Sequence, residues 1–500
     1  MNKKITVNHN GAEISAVAGL TVSEIISGEM PCGGHGRCGK CRVIARGDIS
    51  EPTATEKALL SADELAKGVR LACLTRALGD CEIETLSGAK EAQIVTDGAL
   101  PDFEINPSFS KYGAAIDIGT TTLAARLYDK NGKMLADTSL LNPQREWGAD
   151  VISRIEAALD GKARELMTSV TGAIDYLISE LSLIAGIDTN EIDGAVITGN
   201  TVMLSLLVGE SAEPFARAPF KVKRHFGEII TAGELGLSNL TADVGVYLPR
   251  CISAFVGADI TCAILATRIC DGNTAMLADI GTNGEMALWY NGGLTVSSTA
   301  AGPAFEGVGI SMGMRAAEGA IDRVNLENGE LNCHVIGDIA PLGICGSGLI
   351  DAVAHMLDAE IVDESGYLDD DYVILSPVSI TPKDIRMLQL AKSAICAGLT
   401  ALIEGKGLKP SEISRLYIAG GFGNYLNRES AARIGLLPTE LAERSIAVGN
   451  AALTGASMLL LNAGIRDAAN LLETDATVLD LSTDPVFSER YMSGMMLEEV

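Results

Sequence analysis

Residues 114–137, AAIDIGTTTLAARLYDKNGKMLAD, and residues 275–298, AMLADIGTNGEMALWYNGGLTVSS, decide the fold. The first reads as an apolar strand, an Asp-x-Gly-Thr-Thr turn, a second strand, a tight turn at Asn131-Gly132 and a third strand. The second repeats that order of events, so that Asp117-Ile118-Gly119-Thr120 and Asp279-Ile280-Gly281-Thr282 superpose directly. A further echo pairs GAVITGNTVML around Gly199 with RLYIAGGFGNY around Gly420, each an apolar strand running into glycines and then a helix. Two halves with matching elements indicate an internal duplication.

The repeated turn has a chemistry. Gly and Thr between two strands offer backbone N–H and hydroxyl groups to phosphate oxygens. Two such turns facing each other across a cleft grip a triphosphate from both sides, through Gly119, Thr120 and Thr121 in one and Gly281, Thr282 and Asn283 in the other. Asp117 and Asp279 can hold magnesium, directly or through water, and are the candidate catalytic carboxylates. Ala419 to Gly423 supplies a surface poor in side chains on which purine and ribose lie flat, with Gly420, Gly421 and Gly423 as its contacts. Glu306 and Asp259 are further cleft carboxylates, with helix capping or a structural hydrogen bond an equal reading. A lone Asp-x-Gly-Thr hairpin is an ordinary turn; the pair in register carries the argument. The chain has no G-x-x-x-x-G-K-[ST], which excludes a P-loop.

The first hundred residues are different. In CGGHGRCGKC, residues 32–41, Cys32, Cys38 and Cys41 have the spacing C-x5-C-x2-C. A fourth thiolate comes from Cys73 or Cys81; Cys81 opens an alternating strand where its side chain packs, so Cys73 is preferred. Zinc sites usually pair two short knuckles, and only Cys38-Gly39-Lys40-Cys41 is present. The glycines favour an iron–sulfur cluster, whose wrapping backbone needs dihedrals that glycine tolerates. His35 is a solvent-facing loop residue on this reading. Around the loop, residues 5–17 read strand–turn–strand, TVSEIISGE a short helix capped by Thr21, CRVIARGDI a strand and TATEKALLSADELAKG helical.

At 500 residues the chain exceeds one core. Hydrophobic residues make up 47%, charged residues 21% and aromatics 4%, so the cores are aliphatic. A net charge of −27 without a basic block argues against nucleic acid and anionic membrane as partners. No apolar run reaches the ~18–20 residues of a membrane span. Eleven cysteines, five of them between Cys32 and Cys81, fit one metal site in a reducing cytoplasm. Cys251, Cys262, Cys270, Cys333 and Cys396 lack ligand spacing and read as small hydrophobes. CGSG, residues 345–348, opens a helix as a phosphate-facing turn or a closely packed one, and the Met-rich end reads as a terminal helix packed on the rest or a flexible contact surface for a partner.

The N-terminal stretch resembles the adrenodoxin-like branch of 2Fe–2S ferredoxins, an α+β β-grasp. The remainder resembles the actin-like ATPases, an α/β duplicated ribonuclease-H-like fold. Joined in one chain, they resemble the ATP-dependent reductive activators of corrinoid proteins, on CGGHGRCGKC, RLAC, DIGTTT, NPQREWGADVISRI, ITGNTVM, FVGADI, LADIGTNGE, AGPAFEGVGI, GICGSGLIDAV, AGGFGNYL and VGNAALTGA. The resemblance implies a ferredoxin domain over 1–87, a linker over 88–110 and ATPase lobes over 111–270 and 271–500. It implies a 2Fe–2S cluster on Cys32, Cys38, Cys41 and Cys73, with ATP and magnesium as further cofactors. It also implies a corrinoid protein as acceptor, whose cobalt(II) becomes cobalt(I), a low-potential electron donor, and room for a homodimer. The rivals are an ATP-driven donor to another low-potential metalloenzyme and an acetate- or sugar-kinase-like phosphotransferase with a redox-sensing ferredoxin.

Overall fold

The computed structural model describes residues 3–26, 36, 39, 41–85, 98, 100–421 and 425–500. Strands β1 (Lys4–His9) and β2 (Ala12–Val17) form a hairpin. Its turn residues Asn10 and Gly11 have φ of 49° and 88°, the positive pair that a two-residue hairpin turn requires. With β3 (Arg42–Ile49), β4 (Val69–Leu71) and β5 (Ala77–Thr85) they make a mixed sheet in the order β2-β1-β5-β3-β4, with β1 and β5 parallel. The helix Val22–Ile26 opens where Thr21 and Glu24 exchange side-chain and backbone hydrogen bonds. Thr53 and Glu56 form the same capping box ahead of Ala54–Leu59. This is the β-grasp.

The first lobe is a six-stranded sheet of β6 (Tyr112–Ile118), β7 (Thr122–Asp129), β8 (Met134–Leu141), β9 (Ile192–Gly199), β10 (Glu228–Thr231) and β11 (Gly245–Leu248). Its order is β10-β11-β9-β6-β7-β8. The second begins with β12 (Ala275–Ile280), β13 (Gly284–Tyr290) and β14 (Gly293–Thr299). An insertion follows, holding a small sheet of β15 (Ala320–Glu327), β16 (Glu330–Val335) and β17 (Gly343–Ile344), and the hairpin of β18 (Tyr372–Leu375) and β19 (Val378–Ile380). Then β20 (Arg415–Ala419), β21 (Ser445–Gly449) and β22 (Ala476–Val478) complete the sheet β21-β20-β12-β13-β14-β22. In both sheets an antiparallel meander is extended on one side by two parallel strands, β9 and β11 next to β6, β20 and β21 next to β12. The duplication is one of topology as well as of motif.

Helices Ala258–Thr267 and Ala451–Leu461 follow β11 and β21 and pack on each other. At Gly455 their backbones touch: a Cβ there would come 1.9 Å from the Cys262 carbonyl oxygen. Each helix also reaches across. Leu453, Ala456 and Leu460 pack with Ala115 and Val196 of the first sheet, whereas Ile260, Ala263 and Ile264 pack with Leu277 and Ala287 of the second. Burial on every side explains why both helices are apolar all round. The crossing ties the two sheets together.

The second half of the stretch read as linker is docked. Asn106 exchanges backbone hydrogen bonds with Leu461 and Ala463, the Asn462 amide donates to the Glu104 carbonyl, and Phe109 is buried. Helix Pro382–Glu404 is, among the described helices, the one long and apolar enough to cross a membrane by length and composition; it lies mostly buried inside the second lobe. The terminal helix Pro485–Ser493 packs against it, with Ser393 donating to the Tyr491 carbonyl. Among the scattered cysteines, Cys251, Cys262 and Cys396 are buried, and Cys270 and Cys333 are half-buried.

Candidate functional site

The turn between β6 and β7 is held from behind. Asn142 donates through Nδ2 to the Gly119 carbonyl at 2.8 Å and through its backbone N–H to the Thr121 carbonyl at 2.9 Å. The buried Arg154 guanidinium donates to the Thr120 carbonyl, and Asn200 Nδ2 donates to Thr120 Oγ1 at 3.1 Å. With its carbonyls bonded to the scaffold, the turn presents its other face to the cleft. Asn142 and Arg154 both lie in NPQREWGADVISRI, which explains that motif structurally. The second turn is braced within its own lobe, Gly281 N–H to the Asn283 carbonyl and Gly302 N–H to the Thr282 carbonyl, each at 3.0 Å.

The two turns open on one cavity of about 280 Å³. Asp117, Gly119, Thr120, Thr121, Asp279, Gly281, Thr282, Asn283, Gly420 and Gly421 all line it; Gly423 lies outside the described residues. Gly420 has φ of +91°, and a Cβ there would sit 2.9 Å from Asp279 Oδ1, so glycine is needed for both conformation and space. The CGSG turn is closely packed at the edge of this cavity. Gly346 and Ser347 line the cavity, while a Cβ on Gly346 or Gly348 would strike a neighbouring carbonyl oxygen at 2.1 or 2.2 Å.

Carboxylates crowd this cavity. Burial pushes Asp117 up to about 7, opposed by a hydrogen bond from Asn450 and assisted by the charge of Asp279. Asp279 is pushed up to about 6 by burial and then by Glu306. Asp259 and Glu285 are also raised, first by burial; Asp279 and Asp117 add to the first, Asp259 and Asp279 to the second. Such a cluster is short of positive charge, as a divalent-cation site is before the ion arrives. Among the described residues no three His, Cys, Asp or Glu side chains converge as a metal cage. Arg315 adds a guanidinium to the lining.

Glu285, Asn200, Asn450 and Arg315 are cleft residues that motif reading missed. Glu285 had a signal, since it stands opposite Asp279 in the β12–β13 register. Asn200 and Asn450 had another: each follows a strand-ending glycine and caps the next helix, accepting from Met203 N–H and Leu453 N–H.

In the first domain, Cys41 Sγ lies 3.2 Å from Cys73 Sγ, and both residues are buried. A disulfide spans ~2.05 Å, so these are two separate sulfurs side by side rather than a bridge. Gly36 and Gly39 of the loop have φ of 66° and 67°, the conformation for which its glycines are suited. Cys32, Cys38 and His35 lie outside the described residues. Cys81 is buried in β5 opposite Val7, where it packs. Behind Cys73, the buried Glu56 carboxylate accepts from Arg70 Nε at 3.0 Å, Leu71 N–H at 3.2 Å and Thr75 Oγ1 at 3.0 Å. Residues on both sides of Cys73 are thereby anchored to one charge.

Comparison with known proteins identifies the domains. Residues 5–78 match the model of the 2Fe–2S iron–sulfur cluster binding domain, 112–271 the RACo middle region, and 273–500 the C-terminal domain of RACo, the ASKHA domain. The chain is 33% identical over 450 residues to the corrinoid activation enzyme RamQ of Eubacterium limosum, covering 83% of this chain and 76% of that protein. It is 27% identical over 431 residues to the [Co(II) methylated amine-specific corrinoid protein] reductase of Methanosarcina barkeri, covering 77% and 78%. A solved reductive activator for corrinoid, iron-sulfur protein superposes with a TM-score of 0.71 at 28% identity, over 99% of this chain and 98% of that one. The chain belongs to the RACo family of corrinoid-protein activators, a 2Fe–2S ferredoxin domain joined to an actin-like ATPase domain.

Proposed function

We propose that this chain reduces the corrinoid cobalt(II) of a partner protein to cobalt(I), one electron at a time, at the expense of ATP. The observation that carries the reading is the pairing of two sites in one chain: the Cys41–Cys73 sulfur pair, and a cleft between duplicated lobes lined by two Gly-Thr turns over a carboxylate floor. Bound at Cys32, Cys38, Cys41 and Cys73, a 2Fe–2S cluster supplies single electrons. The Thr120, Thr121 and Thr282 hydroxyls and the turn amides bind the phosphates. Asp117 and Asp279 orient magnesium and its waters, and Gly420, Gly421 and Gly423 receive the nucleoside.

ATP is needed because the electron goes uphill. For one electron 59 mV is a factor of ten in equilibrium, so a gap of ~100–200 mV corresponds to roughly 2–5 kcal/mol. Nucleotide contributes only through its different affinity for open and closed lobes. The crossing of Ala258–Thr267 with Ala451–Leu461 is the joint about which such closure turns, since each helix packs on both sheets. Further parts of the proposal are a separate low-potential electron donor, a homodimer and a cytoplasmic setting.

The test mixes anaerobically reconstituted, reduced protein with a cobalt(II) corrinoid protein and follows the visible spectrum with and without magnesium-ATP. Cobalt(I) appearing only with ATP, and lost in Cys73→Ala, supports the reading. An unchanged corrinoid spectrum across several such partners, with the cluster intact and ATP hydrolysed, sinks it.

A further inference from the structure

Thr121 Oγ1 and Thr282 Oγ1 both donate to one atom, Glu306 Oε2, each at 3.0 Å. Thr121 belongs to the turn of the first lobe and Thr282 to that of the second, so a single carboxylate oxygen joins the two turns. Its other oxygen is close to the second turn, with a Cβ on Gly281 falling 3.7 Å from Glu306 Oε1. The side chain is held in place by its own loop. Pro303–Glu306 is a short helical turn whose Ala304 and Phe305 are buried, and the Phe305 carbonyl packs against Gly346 closely enough to forbid a side chain there. The backbone that carries Glu306 is therefore packed in place.

An anion accepting from both threonine hydroxyls occupies the place a phosphate group takes if these turns bind a triphosphate. We propose that Glu306 is a phosphate surrogate, a carboxylate latch that joins the two lobes when the cleft holds no nucleotide and is displaced by the triphosphate. The inference rests on the nucleotide reading of the cleft. Its physical basis is competition. Two anions do not share the same hydroxyl donors, and a carboxylate beside a triphosphate is repelled. Binding must then exchange one set of hydrogen bonds for another. Its consequence is a lowered affinity that rises once Glu306 is removed, opposite to the behaviour of a residue that helps to bind magnesium or phosphate.

The experiment uses the full-length, cluster-loaded chain and two variants, Glu306→Ala and Glu306→Gln, the second keeping the size and one acceptor oxygen. Hydrogen exchange is measured without nucleotide over residues 117–123 and 280–284. Binding of magnesium adenylyl imidodiphosphate, which is not hydrolysed, is measured by calorimetry. The latch predicts faster exchange in both turns of Glu306→Ala, and a Kd about tenfold lower, with Glu306→Gln intermediate. Unchanged exchange in the nucleotide-free variant overturns it, as does a Kd equal to or higher than that of the parent. A parent chain that binds no magnesium nucleotide refutes the nucleotide reading of the cleft instead, and the exchange comparison still decides whether Glu306 joins the turns.

Discussion

The side-chain amide of Asn450 donates to Asp117 Oδ2 at 2.9 Å, while its own oxygen accepts from the Leu453 N–H at 2.7 Å. One asparagine thus caps the crossing helix Ala451–Leu461 and steadies the first carboxylate of the cleft. Asn450→Asp keeps the cap but places a second negative charge against Asp117. ATP hydrolysis should fall at least tenfold, and the Tm at pH 8 should fall as well. Asn450→Ala removes the bond that lowers the Asp117 pKa, so the acid limb of the hydrolysis profile should move to higher pH. A profile that stays in place would separate Asp117 from the rate.

The cleft carboxylates make the nucleotide-free protein less stable as pH rises. Asp117 and Asp279 titrate at about 7 and about 6 in the folded chain, above their ordinary value of 3.8. Between those limits the folded state binds more protons than the unfolded one, so its stability is greatest below the ordinary value and falls through the raised ones. Asp259→Asn should raise the Tm at pH 8 by about 1–3 °C, because one buried like charge is gone. Magnesium should flatten the pH slope of the parent. Thermal melts from pH 5 to pH 8, with and without the ion, read both effects.

Glu56 behaves in the opposite way. It is fully buried, and its carboxyl titrates at about 2; burial alone acts upward, and is outweighed by hydrogen bonds from Arg70, Thr53 and Leu71. Its contribution is complete above the ordinary value of 4.5 and disappears as pH falls towards about 2. Glu56→Gln leaves the Arg70 charge buried without its counter-charge, a change that typically costs about 3–5 kcal/mol. Melting followed through the visible absorbance of the cluster should show the first domain destabilised, with the ATPase transition unchanged.

Gly455 permits the backbone contact of the crossing helices. In Gly455→Ala the new methyl would meet the Cys262 carbonyl oxygen at 1.9 Å, so the helices must separate. Overpacking of this kind costs about 1–3 kcal/mol. If the joint also governs lobe closure, nucleotide affinity should drop by more than the loss of stability alone explains. Calorimetry and melting on the same variant distinguish the two.

Phe109 tests the docked stretch. It lies against β6 and β9 at Gly113 and Gly194, where a Cβ would approach its atoms to 2.7 and 2.8 Å. Phe109→Ala should therefore destabilise the ATPase domain by about 3–5 kcal/mol, as for an aromatic removed from a core. A flexible tether would show no effect on its melt.

Local physical chemistry made much of this protein legible in its sequence. Asn10-Gly11 sets the first hairpin turn by its tolerance of positive φ, and the alternation from Cys81 sets a strand, which the structure begins at Ala77. Gly36 and Gly39 of the cysteine loop take positive φ, and Gly119 of the first turn leaves no room for a side chain beside the Thr122 carbonyl. Those signals act over a few residues, and the repetition of Asp-x-Gly-Thr carried the duplication with them. What tertiary structure alone decided depends on contacts between distant segments. That Glu306 lies between Thr121 and Thr282, that Asn450 reaches Asp117, and that Glu285 joins Asp259 and Asp279 in the cleft follow from how the sheets face each other. The docking of residues 100–110 is of the same kind, because Phe109 is apolar in any linker and becomes core only where Gly113 and Gly194 leave a slot. Turn and strand propensities are properties of neighbours along the chain, whereas the carboxylate field and the latch are properties of the assembled lobes.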